Sequence, residues 1–373
     1  MMPPPDDTIL SEAPPKVDLA LCVDPLALRR FRAVLRYLCV GLLDVAAQVR
    51  LVTSSAEAQS LTLGSVQHVF YKEVPWPFRG QGVHRVLEAL AGRVPNLVHG
   101  FTGRSFEMAA AIARHFDVHL VLHALSMNDV TKLARPAGYS ADHVVAGSRP
   151  IFDAILEGVA VDRQRLSLVR SGTIAGDGPT CFTQPHRIPT ILCTSQLTLT
   201  SGVDRLLEAL CLLRERGQPF LAFLTGSGPA EHALRKAAQA AGLASVVTFA
   251  QPLGDAKQIM AGADIFVRPS AENAISVRTL QALGAGMAMV TVQGGAADAY
   301  LHEITALVCP DGQPITLAAA IERLLLDRVF ARTLATQAVQ HVKKYHSVSA
   351  MCEALLQIYY DLSLRDKTLS VNR

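Results

Sequence analysis

Apolar and polar positions along the chain alternate in two ways, which predicts a mixture of strands and helices. Short apolar runs such as Val17–Val23 are followed by longer segments, here Pro25–Ala47, in which apolar residues recur at helical spacing. The same alternation continues through Val118–His123 to the helix Arg149–Glu157. Buried strands that alternate with amphipathic helices form parallel sheets covered on both faces. The first half of the chain is therefore predicted to be an α/β domain.

A second block with the same alternation follows a break. The segment Ile174–Pro189 contains three prolines and two glycines and has little periodicity, which is typical of a linker between domains. The alternation restarts with the strand Thr190–Thr194 and ends with the strand Ala306–Cys309, after which the pattern is nearly all helical. We therefore predict two similar α/β domains in tandem.

The last predicted helix, about Ser349–Leu364, needs a surface on which to pack. Its apolar residues Met351, Leu355, Ile358 and Leu362 recur at helical spacing. We expect this helix to cross back onto the first domain. The predicted organisation is a flexible leader at 1–16, an N-terminal domain at 17–175, a C-terminal domain at 188–347 and the crossing helix at 348–373.

Length, composition and charge agree with two folded domains. The chain has 373 residues, whereas single cores stop growing near about 250 residues. Half of the residues are hydrophobic and 18% are charged, which excludes a disordered chain. A net charge of +3 predicts no nucleic-acid partner, because such proteins concentrate basic residues on one face. The densest basic group, Arg29, Arg30, Arg32 and Arg36, lies in one predicted helix and is interpreted as its solvated face.

Cysteine usage and targeting patterns bear on the compartment. The seven cysteines are scattered, and no pair has the close spacing of a zinc or redox site, so we interpret them as core residues in a reducing compartment. Met1–Pro15 lacks the basic start and apolar middle of a signal peptide, and no window reaches about 18 uninterrupted apolar residues. We expect a cytoplasmic protein, and peripheral contact with the inner face of a membrane is left open.

Short motifs in the second half occur in a recurring order. They are Ser201-Gly202-Val203-Asp204, Gly226-Ser227-Gly228-Pro229, the run Ala263–Ser270, the run Leu280–Gly286, Gly294-Gly295 and His346-Ser347. In this order they resemble the sugar-nucleotide domain of family 4 glycosyltransferases, from about Ile191 to Tyr359. The first half is similar to the same family more faintly, in Leu97–His99, Leu120–His123 and Ala141–Ser148.

The resemblance implies a fold and an activity. The fold would be GT-B, an α/β architecture of two Rossmann-like, doubly wound domains that face each other across a cleft. The C-terminal domain would bind a nucleotide sugar, and the N-terminal domain would bind the acceptor, a glycan or a lipid-linked molecule. Members of this family transfer the sugar with retention of stereochemistry and without a metal or other cofactor.

Two glycine pairs are candidates for binding the donor. Gly226 and Gly228 lie between a predicted strand and a helix, where backbone N–H groups and the helix dipole favour a phosphate. Gly294 and Gly295 follow the strand Ala288–Val292 and would let a diphosphate or sugar approach the backbone. Each pair, considered alone, is equally compatible with a tight turn that binds nothing.

His123 ends a predicted buried strand, and the resemblance implies a catalytic position for it, because the matching histidine in the family lines the cleft near the transferred sugar. The alternative is a hydrogen-bonded, partly buried imidazole with a structural role. His99 ends another such strand and is interpreted as structural.

The sequence departs from the family where charge is expected. The family usually carries an Arg and a Lys that neutralise the diphosphate, and Gln196 and Ser201 occupy those positions here. Fixed cations beside a departing diphosphate stabilise the charge that develops in the transition state, so their loss weakens catalysis. Arg268 or Arg278 would have to supply a cation from a new direction.

The two glutamates of the family are also altered. Asn273 stands at the first position and Gln281 at the second, while Glu272 is one residue away from the first. A one-residue bulge in the loop Ser270–Ser276 would return the Glu272 carboxylate to a catalytic position. Gln281 keeps a donor and an acceptor for ribose hydroxyls.

Two hypotheses of function follow. The first is a retaining hexosyltransferase that uses a nucleoside-diphosphate sugar. The second is a catalytically inactive GT-B protein that binds a glycan or serves as a partner subunit. The second is favoured by the missing charges at Gln196 and Ser201, because the glycines that shape the backbone are retained.

Restoring the two cations tests the first hypothesis. The double substitution Gln196→Arg and Ser201→Lys is expected to tighten the binding of nucleoside diphosphates and to raise turnover. A cation about 4 Å from a phosphate oxygen in a partly desolvated cleft contributes ~1–4 kcal/mol before side-chain ordering is subtracted. Calorimetric titration of both proteins with UDP, GDP and ADP measures the change, and no heat from either protein contradicts the transferase hypothesis.

Overall fold

The computed structural model describes residues 17–44, 48–60, 66–73, 79–134, 139–251, 260, 262–274 and 276–371. Within these residues the chain forms one sheet of seven strands and one of six, and all paired strands are parallel. The leader predicted at 1–16 lies outside the described residues.

The first sheet belongs to the N-terminal domain and has helices on both faces. Its strands are β1 (Asp18–Val23), β2 (Gln48–Thr53), β3 (Gln67–Phe70), β4 (Leu97–Phe101), β5 (His119–Ala124), β6 (His143–Ala146) and β7 (Leu166–Leu168). Its helices are α1 (Pro25–Arg30), α2 (Arg32–Asp44), α3 (Arg79–Ala91), α4 (Phe106–Phe116), α5 (Met127–Leu133) and α6 (Arg149–Gly158). The strand order across the sheet is β3-β2-β1-β4-β5-β6-β7.

The second sheet repeats this plan in the C-terminal domain, with the strand order β10-β9-β8-β11-β12-β13. Its strands are β8 (Thr190–Thr194), β9 (Leu221–Thr225), β10 (Val247–Ala250), β11 (Ile265–Arg268), β12 (Ala288–Val292) and β13 (Leu307–Cys309). Its helices are α7 (Val203–Glu215), α8 (Glu231–Ala240), α9 (Val277–Gly284), α10 (Pro314–Leu326) and α11 (Arg328–Tyr345), and the last helix is α12 (Val348–Val371).

Each sheet reverses its winding direction once. The first strand of each sheet lies between the second and the fourth strand of that sheet in chain order, so β1 separates β2 from β4 and β8 separates β9 from β11. Ligands of doubly wound sheets bind outside the carboxyl ends of the strands at this switch point. The predicted fold class, two doubly wound α/β domains, is confirmed.

The single helix predicted over Pro25–Ala47 is divided at Phe31. The helix α1 begins after Asp24, whose carboxylate accepts hydrogen bonds from the N–H groups of Leu26 and Ala27 at 2.9 and 3.1 Å. Phe31 has φ −108° and ψ 20°, which are not helical values. Its ring lies edge-on to that of Phe101 with the centroids 5.7 Å apart. Burial of this ring in the core accounts for the break, which the apolar spacing alone does not reveal.

The last helix packs on the N-terminal domain. Tyr359 is fully buried there, and its hydroxyl is joined to Nδ1 of His99 by a hydrogen bond of 2.6 Å. Gly41 of α2 lets Cys352 come close, since a Cβ at this glycine would lie 2.5 Å from the cysteine sulfur. The core of the N-terminal domain is therefore completed by a segment that follows the whole C-terminal domain.

The chain passes between the domains at two adjacent places. The Thr173 N–H donates to the His346 carbonyl at 2.8 Å, and Thr173 and Ser347 form a parallel bridge. A Cβ at Gly172 would lie 2.8 Å from the Cα of Val348, so only glycine permits this approach. The two connecting segments therefore run side by side.

Removing the Tyr359 hydroxyl is expected to destabilise the N-terminal domain. In Tyr359→Phe the ring still fills its site, but buried Nδ1 of His99 loses its hydrogen bond, which costs about 1–3 kcal/mol. Tyr360→Phe is the matched control, because Tyr360 is only half-buried, and we expect it to change little. Urea denaturation measures both free energies of unfolding, and equal midpoints for the two variants would contradict the assigned role.

Candidate active site

A cleft of about 650 Å³ lies where the carboxyl ends of the C-terminal strands face α1 of the other domain. Residues at or just after the ends of β8, β9 and β11 supply most of its wall, which includes Thr194, Thr225 and Arg268. The described residues that line it from the N-terminal domain are Arg29, Arg30 and Asn128. The cleft therefore occupies the switch point of the second sheet, as the topology predicts.

Glu272 is the carboxylate in the wall of this cleft, and it is nearly buried with 5% of its surface exposed. Its Oε1 lies 2.8 Å from Nη2 of Arg268, and its Oε2 accepts a hydrogen bond of 2.9 Å from the Tyr300 hydroxyl. Arg268 itself is oriented by Nη1, which donates to the Thr194 carbonyl at 3.1 Å. Burial raises the pKa of Glu272, and the nearby Arg268 guanidinium opposes that rise.

The backbone of Glu272 is held by Gly295. The two residues form a parallel bridge, and the Ala296 N–H donates to the Glu272 carbonyl at 2.5 Å. Gly295 has φ +87°, and a Cβ there would lie 2.2 Å from the Glu272 carbonyl oxygen, so a side chain is excluded for two reasons. Gly294 lies beside Ala271, with 3.9 Å between its virtual Cβ and the alanine Cβ. This glycine pair supports the wall from behind and is not among the residues that line the cleft.

The first glycine pair brings two loops together. A Cβ at Gly226 would lie 1.8 Å from the Ser195 carbonyl oxygen, and one at Gly228 would lie 2.3 Å from the Leu197 carbonyl oxygen. The Leu197 N–H donates to the Ser227 carbonyl at 3.0 Å across the same contact. Gly226 lines the cleft, whereas Gly228 lies behind it. Close contact between backbones is therefore sufficient to explain both glycines.

The polar residues at the altered family positions are divided between the cleft and its surroundings. Gln196, Ser201 and Asn273 line the cleft. The Ser201 hydroxyl donates to the Thr198 carbonyl at 2.7 Å, and the Asn273 carbonyl accepts from the Met127 N–H of the other domain at 2.9 Å. Gln281 lies in α9 outside the lining, and its buried Oε1 has no hydrogen-bond partner among the described residues.

His123, expected near the transferred sugar, lies in the core of the N-terminal domain and does not line the cleft. Its ring stacks on His99 at a centroid distance of 5.5 Å and meets Phe101 edge-on at 5.3 Å. Burial lowers the pKa of His123 to about 3, so the imidazole is neutral at physiological pH. The end of the strand β5 is deeper than its apolar pattern suggests, and the imidazole is buried rather than partly buried as the structural interpretation expected.

Arginines supply most of the charge in the cleft. The lining contains Arg29, Arg30, Arg268 and Arg278, and Glu272 is the one carboxylate among its described members. Arg30 reaches across from α1 closely enough to contribute to lowering the pKa of Glu272. Arg29 is 3.7 Å from Glu57 in an ion pair that is exposed on both sides.

The N-terminal arginines were interpreted from sequence as a solvated helix face, and that interpretation missed the cleft. Both Arg29 and Arg30 are exposed, but they are exposed to the space between the domains. A signal was present, because α1 directly follows the carboxyl end of β1, the edge where ligands of such sheets bind. The cations absent at Gln196 and Ser201 are thus matched by cations from other elements.

Comparison with known proteins relates the C-terminal domain to sugar transferases. Residues 188–327 match the family model described as glycosyl transferases group 1. Over 151 residues the chain is 32% identical to a GDP-mannose-dependent alpha-(1-6)-phosphatidylinositol monomannoside mannosyltransferase of Mycobacterium tuberculosis, a match that covers 38% of this chain and 39% of the relative. Over 161 residues it is 26% identical to the uncharacterized glycosyltransferase YqgM of Bacillus subtilis, a match that covers 42% of this chain and 45% of the relative. The matches span about two fifths of the length of these curated relatives.

Solved structures agree over nearly the full length. A glycosyltransferase from Rickettsia africae superposes with a TM-score of 0.78 at 14% identity and covers 93% of this chain and 98% of its own. Anabaena HepE in complex with UDP and glucose superposes with a TM-score of 0.78 at 16% identity, and the match covers 92% of this chain and 99% of HepE. At such identities the likeness shows the fold. The chain has the GT-B fold, and its resemblance to GT-B glycosyltransferases is confirmed.

The described residues contain neither a membrane-spanning helix nor a cluster of metal-binding side chains. None of the helices there is long and apolar enough to cross a membrane. No group of three or more His, Cys, Asp and Glu side chains in the same residues is arranged to hold a metal ion.

Substituting Glu272 is expected to change how stability depends on pH. Because the folded-state pKa of Glu272 is raised above its ordinary value of 4.5, the folded chain binds this proton more tightly than the unfolded chain. The wild-type protein therefore loses stability as the pH rises from about 4.5 through the raised pKa, and Glu272→Gln cannot contribute to that loss. The melting temperature of the variant minus that of the wild type should increase across this window.

Glu303→Gln is the matched control for this measurement. Its pairing with Arg323 lowers the pKa of Glu303, so for this variant the difference should decrease slightly as the pH rises from the lowered pKa to about 4.5 and stay flat above it, since an exposed ion pair contributes little. The substitution Glu272→Gln also leaves Arg268 without a charged partner. This shifts the melting temperature by a constant amount and does not change how the difference varies with pH. A melting-temperature difference for Glu272→Gln that is flat with pH would contradict the assigned burial of its charge.

Proposed function

We propose that this protein transfers a sugar from a nucleoside-diphosphate donor to an acceptor. The observation that carries the proposal is the excess of guanidinium groups over carboxylates in a cleft at the carboxyl ends of a doubly wound sheet. Such an arrangement favours an anion with several oxygens, because guanidinium groups bind phosphate in two-pronged geometry. The similarity of this half to glycosyl transferases group 1 supports a sugar nucleotide as that anion.

The diphosphate is proposed to bind between Arg30 and the arginines of the C-terminal domain, Arg268 and Arg278. These side chains line one cleft from opposite domains, whereas Gln196 and Ser201 offer only neutral groups there. Cations fixed before the reaction stabilise the charge of a departing diphosphate without reorganisation. The transferase would in this way keep its electrostatic function with a different set of residues.

Glu272 is proposed to orient the donor sugar. Its carboxylate is held by Arg268 and Tyr300, and its buried Oε1 accepts no hydrogen bond from the described residues, which leaves an acceptor for a hydroxyl. Carboxylates accept strong hydrogen bonds from sugar hydroxyls. Asn273, at the exposed end of the same loop, provides an amide for a further hydroxyl.

Retention of stereochemistry is proposed on the ground of the bases that are present. An inverting displacement needs a general base on the acceptor side, opposite the departing diphosphate. The described lining residues on that side are Arg29, Arg30 and Asn128, and none of them is a base at neutral pH. The donor sugar is accordingly proposed to be a hexose transferred with retention, as the resemblance to family 4 implies.

The cofactor, the acceptor and the location of the reaction complete the proposal. No metal cofactor is proposed, since the arginines provide the positive charge that a metal ion supplies elsewhere. A glycan or a lipid-linked molecule is proposed as acceptor, supported by the phosphatidylinositol monomannoside in the name of one relative. We place the reaction in the cytoplasm, with peripheral contact at the inner face of the membrane when the acceptor is lipid-linked.

Calorimetric titration with UDP, GDP and ADP, followed by assays of the corresponding sugar nucleotides, tests the function. We expect at least one diphosphate to bind in the micromolar to millimolar range. Binding without transfer or hydrolysis of any sugar nucleotide would favour the inactive GT-B protein that binds a glycan or a partner subunit. The absence of binding to all three diphosphates would contradict the proposal.

Arg30→Ala is expected to weaken diphosphate binding about tenfold to a hundredfold, because a hydrogen bond to a charged group contributes about 1.5–3 kcal/mol. Arg32→Ala is the matched control: Arg32 is also exposed but donates to the Ser60 hydroxyl at 2.8 Å and does not line the cleft. The same titration measures both dissociation constants. Equal effects of the two substitutions would show that Arg30 acts only through the general charge of the surface.

A further inference from the structure

The loop 293–300 of the C-terminal domain lies between Glu272 and the N-terminal domain. On one side, the Ala296 N–H donates to the Glu272 carbonyl and the Tyr300 hydroxyl donates to the Glu272 carboxylate. On the other side, the carbonyl of Ala296 accepts a hydrogen bond from the Ser148 hydroxyl, at the start of α6. One loop thus connects Glu272 to the opposite domain.

Asp298 is the second contact of this loop with the N-terminal domain. Its Oδ2 accepts a hydrogen bond of 3.0 Å from the Arg149 N–H, in the first turn of α6, and one of 2.9 Å from Nε of Arg170. Only 13% of its side chain is exposed and Arg170 is 27% exposed, so solvent screens this ion pair less than a surface pair. The negative charge also lies at the amino end of a helix, where the dipole favours it.

The loop has little structure of its own to fix its position. It forms neither helix nor strand, and Gly294 and Gly295 both have left-handed φ values, +98° and +87°. Irregular segments with few internal hydrogen bonds open at low free energy unless outside contacts hold them. Across the domain boundary the loop contacts α6 and Arg170, and on its own side it contacts Glu272. Within the C-terminal domain it is further held at Gln293, whose N–H donates to the Cys309 carbonyl, and at Ala299, whose carbonyl accepts from the Thr305 hydroxyl, both at 2.8 Å.

The Glu272 segment has a second contact with the N-terminal domain. The Met127 N–H donates to the Asn273 carbonyl at 2.9 Å, and Ser126 and Ala274 form an antiparallel bridge. The loop containing the carboxylate is therefore held from both sides by elements that depend on the domains being together.

We propose that Ser148 and Asp298 are positioning residues that couple docking of the two domains to the orientation of the Glu272 carboxylate. When α6 engages the loop 293–300, Ala296 and Tyr300 hold Glu272 toward the cleft. When the domains separate, the middle of the loop loses its contacts with Ser148, Arg149 and Arg170, and its hold on the Glu272 carbonyl and carboxylate is weakened. The structural coupling stands by itself, and only its consequence for sugar transfer rests on the proposed function.

Hydrogen exchange followed by mass spectrometry on the full chain tests the coupling without any substrate. In Asp298→Ala and in Ser148→Ala we expect peptides covering 270–274 and 293–300 to exchange roughly tenfold faster than in the wild type. Asp153→Ala is the matched control, because Asp153 pairs with Arg149 on the same helix but does not contact the loop. Should Asp298→Ala fail to fold, Ser148→Ala, which removes a single hydroxyl, decides the result.

Two results for the loop variants, and one for the control, would overturn the proposal. One is unchanged exchange in both peptides for the two variants, and the other is faster exchange at 293–300 alone, since the loop would then dock without affecting Glu272. Faster exchange in Asp153→Ala equal to that in Asp298→Ala would also overturn it, because the effect would then belong to α6 as a whole.

A separate measurement shows whether the coupling acts on the proposed reaction. If a sugar nucleotide is turned over, Ser148→Ala and Asp298→Ala should keep diphosphate affinity within about threefold and lose roughly tenfold in kcat. The arginines proposed to bind the anion are unchanged in these variants, whereas the orientation of the Glu272 carboxylate is disturbed. Equal losses in affinity and in kcat would contradict a positioning role. If the wild type binds no diphosphate, the proposed function fails while the exchange experiment still decides the coupling.

Discussion

The ion pair between Arg268 and Glu272 is the interaction on which the cleft depends. A carboxylate that is 5% exposed loses most of its hydration, and the loss is tolerable only if an opposite charge and hydrogen bonds replace the water. Arg268 supplies the charge, and Tyr300 supplies a hydrogen bond. The loop 270–276 must therefore bring Glu272 back toward the end of β11, and the backbone of Gly295 must approach without a side chain for that return to be possible.

The positive charge of the cleft comes from positions other than the two that the resemblance to the family singles out. A diphosphate responds to the sum of nearby fixed charges, so a cation may be supplied by any element that reaches the site. Here the loop after β8 presents Gln196 and Ser201, while Arg30 approaches from the opposite domain.

The sequence predicted the architecture well and the site unevenly. Strand and helix periodicity determine which residues are buried, and that was enough for both sheets. Depth along a strand has no such signature, which is why His123 at the end of β5 was expected in the cleft and lies in the core. Exposure is also ambiguous, because Arg30 is polar and solvated whether it faces bulk water or a cleft between domains. Glu272 lies in the cleft wall, while the bulge expected in the loop Ser270–Ser276 stays a prediction. The partner of Glu272, Tyr300, is 28 residues away in the chain and could not be inferred.

The two adjacent connections between the domains bear on how the chain is made. The helix α12 carries Tyr359 into the core of the first domain, but it is synthesised after the whole of the second domain. During translation the first sheet must wait with one of its packing surfaces open until the entire second domain has emerged, whereas the second domain has its own sheet and helices from the start. Loss of the final helix by premature termination would thus damage the half of the molecule that is made first.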